Sequence, residues 1–326
     1  MSQREPKVYI LYENEDWMPP LIRELKRAEL PFEKWFVQTG SFDLADEPPI
    51  GVFINRISPS SHTREHFESV DFTHELLIWL EGHGRRVING SEAFSLEMSK
   101  VRQYEALRQV NIKTPHTVAV AGSLKPLRAA ARKISTPFIT KHNRGGKGLG
   151  VRLFNSHSEF ERYVDSPDFE RPVDHITLLQ EYIQSPEPYI TRVEIVNEDF
   201  LYAIRSNTSQ GFLLCPADGC APEELNKHYS QNRFSLREEI QDDPIIGKYI
   251  EFMRKNKIDV AGIEFIEDLD GNKITYDVNG TTNYSPAVEE RHGLNGMAAV
   301  VKLAAQELMK IPAGTLTSIP IKSCFG

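Results

Sequence analysis

The sequence predicts a mixed α/β and α+β protein of two or three domains, and two patterns in the chain support that prediction. Strand-like and helix-like runs alternate through the first 90 residues, which is typical of a parallel sheet. Beyond residue 95 the runs are ordered less regularly, as in an α+β architecture. A chain of 326 residues exceeds a usual single domain, and 40% hydrophobic residues suffice for a sizeable core.

The composition excludes several classes of function. The formal net charge of −8 argues against nucleic acid and anionic membranes as partners, although a local basic cluster could still hold one anion. No apolar run could span a bilayer, and the first residues lack the apolar core of a signal peptide, so we expect a cytoplasmic protein. The three cysteines, Cys215, Cys220 and Cys324, include no CxxC pair and indicate neither a disulfide framework nor a zinc site.

Residues 1–95 are predicted to form an N-terminal domain of Rossmann-like or flavodoxin-like character. The buried-strand patterns lie at 7–12, 32–37, 50–56 and 85–90. Helices are expected after Pro19-Pro20 and over 73–84. Because no GxGxxG follows a strand, a dinucleotide site is not expected. Arg56 and Ser58 follow the third strand and are candidates for substrate contact, although a strand-end arginine is more often structural.

Residues 96–185 and 186–326 are predicted to form two further α+β units. A helix beginning at Ser95 should bury Leu96, Val101, Tyr104 and Leu107. In the first unit, strands are expected at 137–141, 151–154 and 176–183, and helices at 124–133 and 156–164. In the second, strands are expected at 191–196, 200–207 and 212–215, and helices at 244–256 and 294–309.

The stretch GIEFIEDLDGNKITYDVNGTTNY, residues 262–284, predicts a hairpin with an acidic face. If Asp270-Gly271 is a two-residue turn, Glu264 lies opposite Asp277. Alternation then places Glu264, Asp277 and Asn279 on one face, and the other face holds Ile263, Phe265, Ile274, Tyr276 and Val278. Facing like charges are unfavourable, and a hard divalent cation such as Mg²⁺ would offset them. Acids that are merely solvated at an exposed hairpin edge are the alternative.

The run HNRGGKGLG, between the strands at 137–141 and 151–154, is a candidate phosphate-binding loop. A glycine-rich turn lets backbone N–H groups approach phosphate oxygens, and the arginine and lysine add positive charge. The run matches neither GxxxxGK[ST] nor GxGxxG, and an ordinary flexible hairpin loop is the alternative. Lys141, beside the loop, and Lys100, on the preceding helix, could contact phosphate or be solvated surface charges.

These motifs, in this order, resemble the ATP-grasp superfamily, and within it the RimK-like amino-acid ligases and glutathione synthetases. The quoted motifs are Ser99-Lys100, VNIKTPHTV, FITKHNRGGKGLGVRLF, LLQEYI, TRVEIV with AIRSN, and GIEFI with YDVN. The resemblance implies an ATP-grasp fold, in which an N-terminal Rossmann-like (pre-ATP-grasp) domain precedes two α+β subdomains that enclose the nucleotide.

The resemblance also implies roles for individual residues. ATP contacts are expected from the phosphate-binding lysines, the lid loop and the adenine hinge: Lys100, Lys141, Gly145, Gly146, Lys147, Gly148, Glu181, Tyr182 and Ile183. Glu264, Asp277 and Asn279 correspond to ligands of Mg²⁺ or Mn²⁺, with two ions expected. The family usually has an acid two residues before Arg192, where this chain has Ile190, so Glu187 is the candidate for ribose recognition.

The implied activity is an ATP-dependent carboxylate–amine ligase that forms an amide through an acyl phosphate, with an amino acid or short peptide as substrate. Arg192 and Arg205 are the candidates for holding the phosphoryl group and the oxyanion, and a surface salt bridge is the alternative for each. The expected partners are small-molecule carboxylates and amines. A small-molecule kinase and a non-catalytic nucleotide-binding module stay open, as do homo-oligomerisation and the role of segment 210–243.

Overall fold

The computed structural model describes residues 5–146, 148, 150–209 and 233–312. The predicted strand at 212–215, the lid residue Lys147 and the three cysteines lie outside these ranges. The described part contains three separate sheets. One cavity is lined by residues from all three of the units that contain them.

The N-terminal sheet is fully parallel, as the alternating pattern predicts. Its strands are β1 (Lys7–Tyr12), β2 (Phe32–Phe36), β3 (Gly51–Asn55) and β4 (Arg86–Ile88), in the order β2-β1-β3-β4. Helix α2 (Ser69–Gly82) covers one face, where Tyr9, Leu11 and Phe53 are buried. Helix α1 (Pro19–Arg27), which begins on a proline, covers the other face. Burial on both faces explains the continuous apolar strands.

The helix predicted to begin at Ser95 is wrong, because two helices occupy this stretch. Helix α3 (Ser91–Glu97) ends before Ser99, whose backbone is extended, and α4 (Lys100–Arg108) begins immediately after it. The Ser99 hydroxyl accepts a hydrogen bond from the Arg102 amide, so Ser99 is the N-cap of α4. Lys100 is therefore the first residue of α4. Val101, predicted to face inward, is 37% exposed.

The central sheet is antiparallel, and its strands run in the order β5-β8-β6-β7. They are β5 (Thr117–Ala121), β6 (Phe138–His142), β7 (Arg152–Phe154) and β8 (Ile176–Glu181). Helices α5 (Leu124–Ala131) and α6 (His157–Val164) bury Phe138, Phe154 and Phe160 against it. The glycine-rich run connects β6 to β7.

The C-terminal sheet is also antiparallel, and its strands run in the order β11-β10-β9-β12-β13. They are β9 (Tyr189–Val196), β10 (Asp199–Asn207), β11 (Phe234–Leu236), β12 (Val260–Glu267) and β13 (Lys273–Asn279). Helices α4 and α7 (Pro244–Lys255) pack on one face. After α8 (Pro286–His292), helix α9 (Gly296–Met309) packs against both this sheet and the N-terminal sheet. None of the described helices is long and apolar enough to cross a membrane.

The acidic hairpin has the predicted register over half of its length. Glu264 lies opposite Asp277, and Gly262 lies opposite Asn279. Between Glu264 and Phe265 the register shifts by one residue, so that Phe265 pairs with Thr275. The predicted two-residue turn is wrong, because the connection is closed by hydrogen bonds between Asp268 and residues 271 and 272.

This β-bulge changes which side chains face the cavity. The predicted apolar face holds for three residues, because Ile263, Phe265 and Val278 are in the core. It is wrong for Ile274 and Tyr276, which line the cavity together with Asp277. Thr275 instead points to the core, where its hydroxyl hydrogen-bonds the Tyr249 hydroxyl at 2.7 Å. An extra residue in one strand lets two successive side chains share a face, and alternation alone cannot reveal it.

Candidate nucleotide and metal site

One cavity of about 500 Å³ lies where the three sheets meet, and most of the predicted site residues line it. This volume is in the usual range for a small-molecule site. The predicted residues found in its wall are Lys100, Lys141, Gly145, Gly146, Gly148, Glu181, Tyr182, Ile183, Glu187, Arg192, Glu264, Asp277 and Asn279. Ile190, at the position where the family usually has an acid, also lines it.

The buried Glu264 and the partly buried Asp277 form the floor of the cavity, and each has a cationic partner. The Lys100 ammonium forms an ion pair with Asp277 Oδ1. Arg192 Nη1 donates to Glu264 Oε1 at 2.9 Å, and the Tyr276 hydroxyl donates to Glu264 Oε2 at 2.8 Å. Burial would raise the pKa of Asp277, but Lys100 and Lys141 outweigh it and hold that pKa below its usual value. Burial raises the pKa of Glu264 despite Arg192.

Lys141 is the second buried ammonium of the cavity. It lies in β6 immediately before the glycine-rich loop, and its Nζ donates to the Tyr276 carbonyl at 3.0 Å. The same Nζ lies 5.2 Å from the centre of the Tyr276 ring. Burial lowers the pKa of Lys141, and Asp277 and Glu264 act in the opposite direction. Lys100 and Lys141 thus provide positive charge on the same side of the cavity as the acids.

The acidic floor has donors that suit a hard divalent cation. Glu264 and Asp277 are direct cross-strand neighbours, and Asn279 lies two residues further along the same face. Carboxylate and amide oxygens are the ligands that Mg²⁺ prefers, so the donor set fits the ion. The third donor is an amide, so this set differs from a cluster of three or more His, Cys, Asp or Glu side chains. Among the described residues, no cluster of that second kind is placed to hold a metal ion.

Arg192 is held rigidly at the cavity wall. Its Nε donates to Glu194 Oε1 at 2.6 Å, and its Nη2 donates to the Thr282 hydroxyl. The guanidinium crosses directly over Gly262, where an added Cβ would lie 2.4 Å from Nη2. The glycine therefore provides the space in which this arginine spans Glu194 and Glu264.

Arg205 is not among the residues that line the cavity, in contrast to the prediction for it. Its guanidinium forms an ion pair with Glu239 and lies 4.9 Å from the centre of the Tyr189 ring. Arg205 lies on β10, on the opposite side of β9 from the acidic pair on β12 and β13. The structure thus shows a salt bridge of the kind that the sequence left open, and the role of Arg205 at the phosphoryl group and the oxyanion stays a prediction.

The glycine-rich loop lies across the cavity and reaches the N-terminal domain. Gly148 and Gly150 have φ of +75° and +73°, a region that side chains disfavour. Arg144 pairs with Asp71 of α2 at 2.9 Å, and Gly146 lies beside Ser60, which an added Cβ would approach to 3.5 Å. The described residues Gly145, Gly146 and Gly148 of this loop thus form part of the cavity wall.

The hinge predicted at 181–183 directly follows β8. The Glu181 amide donates to the His116 carbonyl at 3.0 Å, and the Glu181 carboxylate accepts the His116 N–H at 2.6 Å. Within the part of the chain that the structure describes, no group accepts a hydrogen bond from the Ile183 amide. That N–H is available to a ligand at the cavity wall. Glu187 is exposed at the rim.

Some cavity residues have no signal in the sequence motifs. Glu97, Thr281 and Asn283 line the cavity, and none of the three is a predicted site residue. Ser58 also lines it, as proposed from its place after the third strand. Arg56 does not, because its Nη1 and Nη2 are directed to the Thr282 carbonyl and Asn283 Oδ1, at 2.8 and 2.7 Å.

Comparison with protein families and solved structures agrees with this geometry. The RimK-like ATP-grasp domain model matches residues 98–302, which is more than half of the chain, and the chain belongs to this family. A search of curated proteins finds no match. The fold and the family are those that the motifs predict, and they support an ATP-dependent ligase, for which magnesium is typical.

Three solved structures share the fold over nearly the whole chain. The ATP-grasp ligase PsnB with its minimal precursor has a TM-score of 0.65 and 13% identity, covering 93% of this chain and 100% of that one. The D-cycloserine synthetase DcsG has a TM-score of 0.64 and 16% identity, covering 92% and 99%. The D-alanyl-alanine synthetase A from Vibrio cholerae has a TM-score of 0.63 and 14% identity, covering 95% and 100%. PsnB has also been solved with its minimal precursor, Mg and ADP.

Proposed function

We propose that this protein is an ATP-dependent carboxylate–amine ligase that forms an amide bond through an acyl phosphate, with an amino acid or short peptide as the carboxylate substrate. The observation that carries the proposal is the convergence of two buried lysines on the Glu264 and Asp277 pair inside one cavity. A phosphate chain needs the lysines, and its bound cation needs the acids. The precursor peptide with which PsnB has been solved and the name of the D-alanyl-alanine synthetase A support the substrate class.

The nucleotide would extend from the hinge to the acidic floor. The Ile183 amide would contact the adenine, and Glu187 at the rim is the candidate for the ribose. Lys100 and Lys141 would contact phosphate oxygens, and the amides of Gly145, Gly146, Lys147 and Gly148 would cover the terminal phosphates. When bound to Glu264, Asp277 and Asn279, Mg²⁺ or Mn²⁺ supplies neutralisation of phosphate charge, and we propose two ions.

The first chemical step is attack of a substrate carboxylate oxygen on the γ-phosphorus. The bond from the γ-phosphorus to the β,γ-bridging oxygen breaks, and ADP and an acyl phosphate form. Lys100 and Lys141 are held at fixed positions by Asp277 and the Tyr276 carbonyl, so little reorganisation is needed as charge moves. The residues position and neutralise the reactants, which is most of what phosphoryl transfer requires from a protein.

The second step is attack of an amine on the acyl carbon. The carbon–nitrogen bond forms, the carbon–oxygen bond to phosphate breaks, and inorganic phosphate leaves with one proton of the amine. Arg192 is the candidate donor to the oxyanion of the tetrahedral intermediate. Glu194 and Glu264 raise its pKa although burial lowers it, so the guanidinium stays charged.

We also propose the domain division 1–95, 96–185 and 186–326. Each range contains one of the three sheets, and the cavity lies between all three. In this arrangement the second and third units enclose the nucleotide, and the first adds a wall through Ser58 and Ser60. Small-molecule substrates would then reach the acyl phosphate from the N-terminal side, and we propose the cytoplasm as the site of the reaction.

The direct test uses hydroxylamine as a general nucleophile. The protein, Mg²⁺ and ATP are incubated with hydroxylamine and a panel of amino acids, N-acetyl amino acids and dipeptides, and hydroxamate and ADP are measured together. A ligase forms hydroxamate and ADP in equal amounts with at least one acid. ADP with a phosphorylated hydroxyl product would instead identify a kinase, and nucleotide binding without turnover would identify a binding module.

A further inference from the structure

The Glu97 carboxylate lines the cavity without a cationic partner. Glu97 is the last residue of α3, and it is only 9% exposed to solvent. Among the described residues, no Lys, Arg or His lies within ion-pair distance of it. A buried carboxylate usually has a cationic partner, because desolvating an isolated charge is costly. Within the described ranges, no cation contacts Glu97 on the side of its carboxylate that faces the cavity.

The orientation of Glu97 is set by backbone groups of the segment that follows β13. Its Oε1 accepts the Thr281 amide at 3.0 Å. The Thr281 hydroxyl donates to the Ile57 carbonyl at 2.9 Å, and its oxygen lies 3.4 Å from Glu97 Oε2. Gly280 allows this close approach, because a Cβ there would lie 2.7 Å from Glu97 Oε2. The carboxylate is therefore held in place by a neutral donor, the Thr281 amide.

The nearby charges are already used by other partners. Lys100 is paired with Asp277, and the Arg56 guanidinium is directed to Thr282 and Asn283. Ser58, Ser60 and Thr281 add neutral hydroxyl groups to this part of the wall. Burial raises the pKa of Glu97 to about 7, and Lys100 only partly opposes that shift. Among the residues that the structure describes, the surroundings of Glu97 thus lack one positive charge.

We propose that Glu97 binds the ammonium group of the amine substrate. An aliphatic ammonium has three N–H donors, for which a carboxylate and neighbouring hydroxyls are suitable acceptors. This inference rests on the proposed ligase function and adds the substrate class, a primary amine that arrives as an ammonium ion. The ammonium gives one proton to the Glu97 carboxylate and then attacks the acyl carbon as the free amine, whose second proton leaves with inorganic phosphate. Glu97 lies beside Lys100 and Asp277 in the same cavity, so the bound amine would be close to the carboxyl group activated there.

The test compares a charged amine with an uncharged one. With the carboxylate found in the hydroxamate screen, hydroxylamine serves as the uncharged nucleophile, because it is largely unprotonated at neutral pH. A panel of L-amino acids and their amides, mostly protonated at pH 7, supplies the cationic probes. The variant Glu97→Gln keeps the acceptor for the Thr281 amide and removes the charge. The control Glu92→Gln removes an exposed carboxylate from the same helix.

The inference predicts a selective defect in Glu97→Gln. The KM for the best cationic amine should rise about tenfold to a hundredfold, the usual effect of losing a hydrogen bond to a charged group. The rate of hydroxamate formation and the KM for ATP should stay at the parent values, and Glu92→Gln should match the parent throughout.

Three results would overturn the inference. The first is an unchanged KM for the cationic amine in Glu97→Gln. The second is a loss of hydroxamate formation in Glu97→Gln equal to the loss with the cationic amine, which indicates a structural role. The third is that no cationic probe competes with hydroxylamine in the parent. Absence of hydroxamate in the parent would overturn the proposed function itself, and this inference with it.

Discussion

The buried Lys100 and the partly buried Asp277 form an ion pair across 177 positions of the chain. Ser99 is the extended N-cap residue of α4, and Lys100 is the first residue of that helix. Asp277 follows the bulge in β13. The pair joins the helix before the central sheet to the acidic strand of the C-terminal sheet. Such a pair places the cation proposed to bind phosphate and the anion proposed to bind the metal at one point of the cavity.

Asp277→Asn should abolish most Mg²⁺-dependent ATP turnover while the protein stays folded. The substitution removes a ligand charge, and loss of one preorganised electrostatic group typically costs about 10² to 10³ in rate. Folding should survive because Asp277 projects into the cavity rather than into a hydrophobic cluster. Steady-state ADP release and far-UV circular dichroism measure the two quantities. Asp270→Asn, on the exposed turn of the same hairpin, is the control, and parental turnover in Asp277→Asn would remove the metal assignment.

Lys141→Ala should weaken ATP binding about tenfold to a hundredfold, as expected for one charged hydrogen bond. The Lys141 ammonium is already desolvated and held by the Tyr276 carbonyl, so little entropy is lost when it meets a phosphate. Isothermal titration calorimetry with ATP and Mg²⁺ measures the affinity. Lys125→Ala, an exposed change on α5, should bind like the parent. An ATP affinity in Lys141→Ala equal to that of the parent would contradict the phosphate role.

Gly262→Ala should reduce activity on the order of a hundredfold, the effect that a displacement of about 1 Å can have at a reacting centre. Its Cβ would lie 2.4 Å from Arg192 Nη2, so the guanidinium must move away from Glu264. Overpacking should also cost about 1 to 3 kcal/mol in free energy of unfolding. Hydroxamate formation and urea unfolding measure the two effects.

Gly247→Ala is the matched control for that change. Gly247 lies inside α7, and an added Cβ there meets nothing within 4 Å. Alanine in a helix interior should raise the free energy of unfolding by about 0.5 to 1 kcal/mol and leave activity unchanged. If Gly262→Ala behaved in the same way, the close packing of Arg192 over β12 would be refuted.

The stability of the ligand-free protein should depend on pH through Glu97. Burial raises the pKa of Glu97 in the folded state to about 7, whereas an unfolded glutamate titrates near its ordinary value of about 4.3. The folded state then binds more protons between these values, so the parent loses stability as pH rises through this window. In urea unfolding, Glu97→Gln should gain about 3 kcal/mol relative to the parent between pH 4.5 and pH 8. A difference between the two proteins that is independent of pH would contradict the burial of an uncompensated carboxyl group.

Local signals in the sequence predict the parallel N-terminal sheet and the facing pair of acids, whereas most other cavity residues are implied by the resemblance to ATP-grasp enzymes. Alternating strands and helices indicate the parallel sheet, and a short hairpin brings Glu264 opposite Asp277. The bulge that turns Tyr276 into the cavity has no local signal, since an extra residue in a strand is compatible with the same alternating run.

Contacts between distant segments account for the other differences. Ser99 is predicted inside a helix because its neighbours suit one, and only the observed cap shows the break. Glu97 has no signal in the sequence, because its burial depends on contact with Thr281, 184 positions away. Arg205 follows Arg192 on the neighbouring strand, but its side chain pairs with Glu239 and lies over the ring of Tyr189.

The central claim, an acyl phosphate formed at the Asp277 site, is tested most directly by isotope transfer. The carboxylate substrate identified with hydroxylamine is labelled with oxygen-18 in both carboxyl oxygens and incubated with ATP, Mg²⁺ and the amine, and the released phosphate is analysed by mass spectrometry. We predict that each phosphate carries one labelled oxygen, because the attacking carboxylate oxygen leaves with the phosphoryl group. Unlabelled phosphate accompanying the amide product would contradict the account.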